Sequence, residues 1–202
     1  MSIHVFYHYM SGHIIPQSLQ DVLATIAYNK QHQISQLKNP ADKYRSLCGL
    51  TIFKLGMEKL GLPTDIWPSL HFELPYKPTV DYPLDFSICH ANKLIICVIS
   101  LSGKVGVDAE HLPKHKNLNR QKISSNSKID TLMDWTSKEA IIKAQGKSNL
   151  TDINSVQLNH HQGQFKDTLW YIHAIKLHPD YIVQLATNNK NVSIHMDHLP
   201  NI

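Results

Sequence analysis

The spacing of apolar residues changes several times along the chain, and each change marks an element. Residues 3–9 alternate weakly between apolar and polar, the period of a half-buried strand. Between residues 17 and 29 the apolar positions Leu19, Val22, Leu23 and Ile26 fall at helical spacing instead. The clearest helix of the first half spans about 40–60. Asn39 is placed to cap it, Pro40 suits its first position, and Asp42 complements its dipole. Leu47, Leu50, Phe53, Met57 and Leu60 recur on one face, and Gly61 with Pro63 closes the run.

The middle of the chain reads as strands. Residues 84–88 and the apolar run 94–101 are separated by a turn at Ala91-Asn92-Lys93, as in a hairpin. Ser102-Gly103 breaks the pattern before a short strand at 105–110. The polar stretch 111–130 reads as loop, and a second helix follows over about 134–145. Strand-like runs at 156–158, 169–177, 181–187 and 192–196 fill the last third. This order predicts an α+β protein with its boundary near Gly103, an N-terminal half at 1–103 and a C-terminal half at 104–202. The late strands follow one another without helices between them, so each half is expected to carry a small, mostly antiparallel sheet with a packed helix.

Composition narrows the class. The 202 residues are 42% hydrophobic and 18% charged, enough to bury a core without a disulfide or structural metal. The longest apolar run is far short of the ~20 residues a membrane helix needs, and the first residues lack the basic and apolar regions of a secretory signal. Cys48, Cys89 and Cys97 are an odd number with no Cys-x-x-Cys spacing, which suits reduced thiols in a cytoplasm. A net charge of +4 suits polyanionic small molecules, acidic proteins or nucleic acid, although no clustered basic stripe marks a dedicated nucleic-acid surface. The 14 histidines are scattered: His111 and His115 are interrupted by Pro113, and His160 and His161 lack a helical context.

Three segments carry candidate chemistry. In Val105-Gly106-Val107-Asp108-Ala109-Glu110, a strand projects Asp108 and Glu110 to one face, where two carboxylates suit a hard cation such as Mg²⁺ or, failing that, are solvated strand-end acids. On the second helix Trp135, Glu139 and Lys143 share a face at i, i+4, i+8. Glu139 could act as a third carboxylate or a base, and Lys143 could meet a phosphate. The plain alternative is a surface Glu–Lys pair worth ~0.2–0.5 kcal/mol; Trp135, expected as a buried anchor, argues for an enclosed surface. In Asp85-Phe86-Ser87-Ile88-Cys89-His90-Ala91, His90 could donate to a phosphate or simply occupy a turn.

Taken in order, these segments resemble the 4′-phosphopantetheinyl transferase superfamily, in particular its larger, Sfp-type members. Gly106-Val107-Asp108-Ala109-Glu110 matches its Gly-(Ile/Val)-Asp-x-Glu motif. Trp135, Lys138, Glu139, Ala140 and Lys143 match its Trp-x-x-Lys-Glu-(Ser/Ala)-x-x-Lys motif. Ser87-Ile88-Cys89-His90 resembles, with changes, its (Asn)-(Ile/Leu)-Ser-His motif, Asp42, Arg45, Gly49 and Lys54 its first-half helix, and Tyr76-Lys77-Pro78 its Gly-Lys-Pro element. The likeness covers about 30–147.

The resemblance implies two pseudo-symmetric α+β halves with coenzyme A in the cleft between them. It implies Asp108, Glu110 and Glu139 as ligands of Mg²⁺, and Glu139 and Lys143 as catalytic residues. It also implies Lys30, Arg45, Lys77, Cys89, His90, Lys138 and Lys143 as contacts of coenzyme A. The implied reaction moves 4′-phosphopantetheine to a serine of an apo acyl or peptidyl carrier protein and releases 3′,5′-ADP. Two halves in one chain make a monomer sufficient, with no nucleic-acid or membrane partner. Cys89 stands where the family has Ser, Tyr76 where it has Gly, and Gln33 at the second basic position. The stretch 111–134 lacks the family's Phe-Ser-x-x-Glu segment. These departures motivate the alternative of a coenzyme A-binding protein with little or no transferase activity.

Overall fold

The alternating first segment forms strand β1 (Ser2–Tyr9) in the computed structural model, which describes residues 1–10, 17–73, 75–112, 125–147, 151–200 and 202. Helices α1 (Gln17–Thr25), α2 (Tyr28–Ser35) and α3 (Pro40–Lys59) follow. Helix α2 has no apolar stripe to announce it, because Ile34 is its single buried residue. In α3 the Asn39 side chain accepts from the Ala41 N–H at 2.9 Å. Leu47, Leu50, Phe53 and Met57 are buried as their spacing predicts, and Gly61 leaves the helix with φ +65°.

Strands β2 (Asp85–Ala91) and β3 (Leu94–Ser100) form the expected hairpin, with Asn92 at φ +51° in its turn. After β4 (Val105–His111), helix α4 (Ser125–Ala144) begins well before residue 134. Its early turns leave Ile129, Met133 and Trp135 exposed, so no buried stripe marks them. The expected loop 111–130 therefore ends in helix, and its residues 113–124 lie outside those described. The last third holds β5 (Gln157–Asn159), β6 (Gln162–Phe165), β7 (Thr168–Ala174), β8 (Tyr181–Thr187) and β9 (Ser193–His198). The short, polar β6 has no apolar run of its own.

The strands make two sheets, in the orders β2-β3-β1-β9 and β4-β8-β7-β6-β5. Every pairing is antiparallel except β1 with β9. Strand β9 thus departs from the expected halves: it lies past residue 104 yet completes the first sheet. Its Ile194, opposite Ile3, packs into the apolar layer between the sheets. That layer holds Val5, Ile96, Val98, Val107 and Leu185. Helices α1–α3 cover the other face of the first sheet through Leu47, Phe53 and Phe86, and α4 covers the second through Ile141, Trp170 and Ala186. The fold is α+β in four layers. Among the described residues no helix is long and apolar enough to cross a membrane.

Candidate active site at the seam between the sheets

Strands β2 and β4 are the facing edges of the two sheets, and polar side chains of β2 close the gap between them. Asp85 accepts from the Val105 N–H at 2.7 Å, and the Ser87 hydroxyl accepts from the Val107 N–H at 3.2 Å. Lys77 donates to Asp85 at 2.6 Å and to the Val105 carbonyl at 2.8 Å. An edge strand whose outward backbone groups are met this way stays in register beside its neighbour. Helix α4 sits directly on β4 because Gly106 has no side chain: a Cβ there would lie 2.1 Å from the Ala140 carbonyl oxygen and 2.4 Å from the Ala144 nitrogen. The close approach brings the Glu139 and Lys143 side chains onto the Asp108 face of the strand.

Two adjoining cavities open on this seam. The first, of about 440 Å³, is lined by Cys89, His90, Asp108, Glu110, Glu139 and Lys143 among others. Lys143 donates to Asp108 Oδ1 at 2.5 Å and stands 4.0 Å from Glu139. The second Asp108 oxygen is buried without a hydrogen-bond partner. Burial, then the charge on Asp108, raise the Glu139 carboxyl from 4.5 to about 7. Burial and Asp108 push Glu110 the same way. Burial opposes the Lys143 ammonium, yet Asp108, with Glu139 behind it, holds its pKa above the ordinary lysine value.

The second cavity, of about 230 Å³, shares Ile88, His90 and Lys143 with the first and adds Lys30, Arg45, Lys77 and Lys147 to its wall. No carboxylate stands among the described residues that line it. Burial lowers the pKa of Lys30, whose ammonium lies 5.0 Å from the centre of the Phe72 ring. Arg45 pairs with Asp42 on its own helix. Burial, then Arg45 and Lys143, lower the pKa of His90, so its imidazole is neutral near pH 7.

Of the residues singled out in the sequence, Asp108, Glu110, Glu139, Lys143, His90 and Cys89 meet in one cavity and Lys30, Arg45 and Lys77 in the other. Lys77 is 6% exposed and donates to Asp85 and to the Val105 carbonyl within the seam. Cys89 is 4% exposed in the layer between the sheets, and burial pushes its thiol up and keeps it neutral. Lys138 is absent from the described lining of both cavities. Trp135, expected as buried, is 41% exposed. Lys147 was missed, although it follows Lys143 by the same i+4 step; it reaches the cavity wall while paired with Asp152.

The donor set fits a hard divalent cation in kind: three carboxylates, two with raised pKa values, and one buried oxygen without a partner. Among the described residues, however, no three His, Cys, Asp or Glu side chains converge closely enough to hold a metal ion. The Lys143 ammonium takes up one Asp108 oxygen and stands beside Glu139.

Glu139 also couples stability to pH. Between pH 4.5 and about 7 the folded chain holds a proton there that the unfolded chain releases. The stability this proton contributes is present at acid pH and lost as pH rises through about 7. Without added divalent ions, the thermal midpoint is expected to fall across that window, and Glu139→Gln, which cannot titrate, to flatten the fall. A slope unchanged in the variant would show that Glu139 titrates as an ordinary carboxylate.

No protein-family model matches the chain. Among curated proteins it is similar to the 4′-phosphopantetheinyl transferase gsp of Aneurinibacillus migulanus, 31% identical over 156 residues. The match covers 70% of this chain, and the chain spans 65% of the length of that relative.

Proposed function

We propose that this chain is a 4′-phosphopantetheinyl transferase, like the relative it resembles, and that it carries 4′-phosphopantetheine from coenzyme A to a serine of an apo acyl or peptidyl carrier protein. The observation that carries this reading is the junction of a cavity walled by cations with one walled by carboxylates, Lys143 and His90 belonging to both. A pyrophosphate diester that also bears a separate phosphate needs that combination: cations for its anionic end and oxygen ligands for its counter-ion.

In this reading Lys30, Arg45, Lys147 and His90 bind the phosphates of coenzyme A, with Arg45 suited to bidentate contact. Asp108, Glu110 and Glu139 would be the ligands of Mg²⁺ once Lys143 yields the Asp108 oxygen it occupies, and the ion would supply charge neutralisation at the pyrophosphate. Glu139, raised to about 7, takes the proton of the carrier serine near neutral pH. The serine oxygen then forms a bond to the β-phosphorus, the bridging bond to the α-phosphate breaks, and 3′,5′-ADP leaves with the electron pair. Lys143 faces both cavities and stabilises charge on the departing oxygen. Positioning and charge neutralisation dominate such a reaction, so the chain needs no covalent intermediate.

The test is the intact mass of an apo carrier protein incubated with this chain, coenzyme A and Mg²⁺. A gain of one phosphopantetheine that EDTA prevents is the expected result. Coenzyme A binding with no gain across carriers from several pathways would instead favour a binding protein that transfers little.

A further inference from the structure

Strand β8 is apolar from Ile182 to Ala186 except at Gln184, which is 3% exposed. Gln184 is the register partner of Asp108 on β4. Side chains alternate along both strands. Val107, Ala109, Val183 and Leu185 face the layer between the sheets, whereas Ala186 packs with α4. Gln184 and Asp108 therefore lie side by side on the helix face of the sheet, where register partners stand about 5 Å apart at Cβ.

Each of the two has a buried oxygen without a hydrogen-bond partner, Asp108 Oδ2 and Gln184 Oε1. Two unpaired acceptors on one register pair are a costly arrangement, because buried carboxylates and amides ordinarily find donors. The buried hydroxyls of α4 do not supply one. Thr136 donates to the Leu132 carbonyl at 2.7 Å and Ser137 to the Met133 carbonyl at 2.7 Å, both within their own helix. Lys143 donates to the other Asp108 oxygen, Oδ1. Gln184 also lines a recess of about 410 Å³ with Met133 and Leu177, so its amide borders open space as well as Asp108. A half-turn about the last side-chain bond exchanges the amide oxygen for the amino group with little change of shape. It turns two acceptors into a donor and an acceptor.

We propose that Gln184 is a positioning residue for Asp108, its amino group donating to Oδ2 while Lys143 holds Oδ1. The role rests on the reading of Asp108 as a metal ligand. When Lys143 yields Oδ1, the amide still holds the carboxylate by Oδ2, and Oδ1 is the oxygen left for the cation. A ligand oriented in advance loses less freedom on binding, and partners of this kind typically carry about 10–100-fold in metal affinity.

Gln184→Met keeps the length of the side chain and removes the amide. If the amide serves Asp108, the variant strands Oδ2 without a donor and the urea midpoint falls. If the amide has no partner, methionine relieves an orphaned polar group, and a midpoint that holds or rises overturns the proposal. The fall should vanish when Asp108→Ala is already present, the coupling expected of residues in contact; an equal fall in both backgrounds overturns it too. Metal affinity supplies the readout that a merely structural role would not move. Mn²⁺, which takes the same oxygen ligands as Mg²⁺, is titrated with coenzyme A present and followed by electron paramagnetic resonance. Its affinity is expected to weaken by about 10–100-fold in Gln184→Met, and transfer by the variant to recover as Mg²⁺ is raised. Unchanged Mn²⁺ affinity in the variant overturns the positioning role alone. An unmodified chain that binds no Mn²⁺ overturns the metal reading of Asp108 and the role of Gln184 with it.

Discussion

Asp108→Asn is expected to reduce transfer to an apo carrier protein by about 10²–10³-fold at saturating Mg²⁺, the usual range for removing one preorganised electrostatic group, while the chain stays folded. Asp108 is where the charges of the site meet. One oxygen takes the Lys143 ammonium at 2.5 Å, the other is buried without a partner, and its charge helps raise both Glu139 and Glu110. An amide in its place can still accept from Lys143, so the contact between α4 and β4 persists. It cannot offer a charged ligand to a metal. A second readout separates this from simple misfolding. With the Asp108 charge gone, one cause of the raised Glu139 pKa is removed, and the rise of activity with pH that depends on ionised Glu139 should move to lower pH. Near-native turnover with an unmoved pH profile would overturn the assignment of Asp108 to the reaction.

How legible the site was in the sequence followed the range of the contacts that build it. Asp108 with Glu110, and Glu139 with Lys143, are set by the strand and helix periods, so alternate and i+4 spacing sufficed to place each pair on one face. The strand and the helix come together because Gly106 lets the Ala140–Ala144 turn approach, and that glycine is part of the motif. The amphipathic face of α3 and the β2–β3 hairpin were readable for the same reason. Long-range pairing was not. Strand β9 returns to lie parallel with β1, a connection that no local pattern encodes. The start of α4 escaped because Ile129 and Met133 are exposed and leave no buried stripe to count. Lys138 precedes Glu139 in the motif but is not among the described residues that line the two cavities.

Lys77 illustrates the limit most sharply, and Asp85→Ala is the variant that exposes its role. The two side chains are 2.6 Å apart and 5% and 10% exposed, a pair enclosed within the seam. Removing the carboxylate leaves the ammonium buried without a counter-ion and the Val105 N–H without its acceptor. Breaking a buried pair in this way typically costs about 3–5 kcal/mol, a large share of the ~5–15 kcal/mol that hold a domain together, and the loss is expected in urea unfolding. Replacing both partners with apolar residues, Lys77→Met with Asp85→Leu, should recover much of it, because no charge is then stranded. The double variant also decides between the clasp and the phosphate contact that the Tyr76-Lys77-Pro78 segment suggested. If Lys77 serves the seam alone, the double variant binds 3′,5′-ADP within a fewfold of the unmodified chain. A loss comparable to that of Arg45→Ala would return Lys77 to the phosphate site.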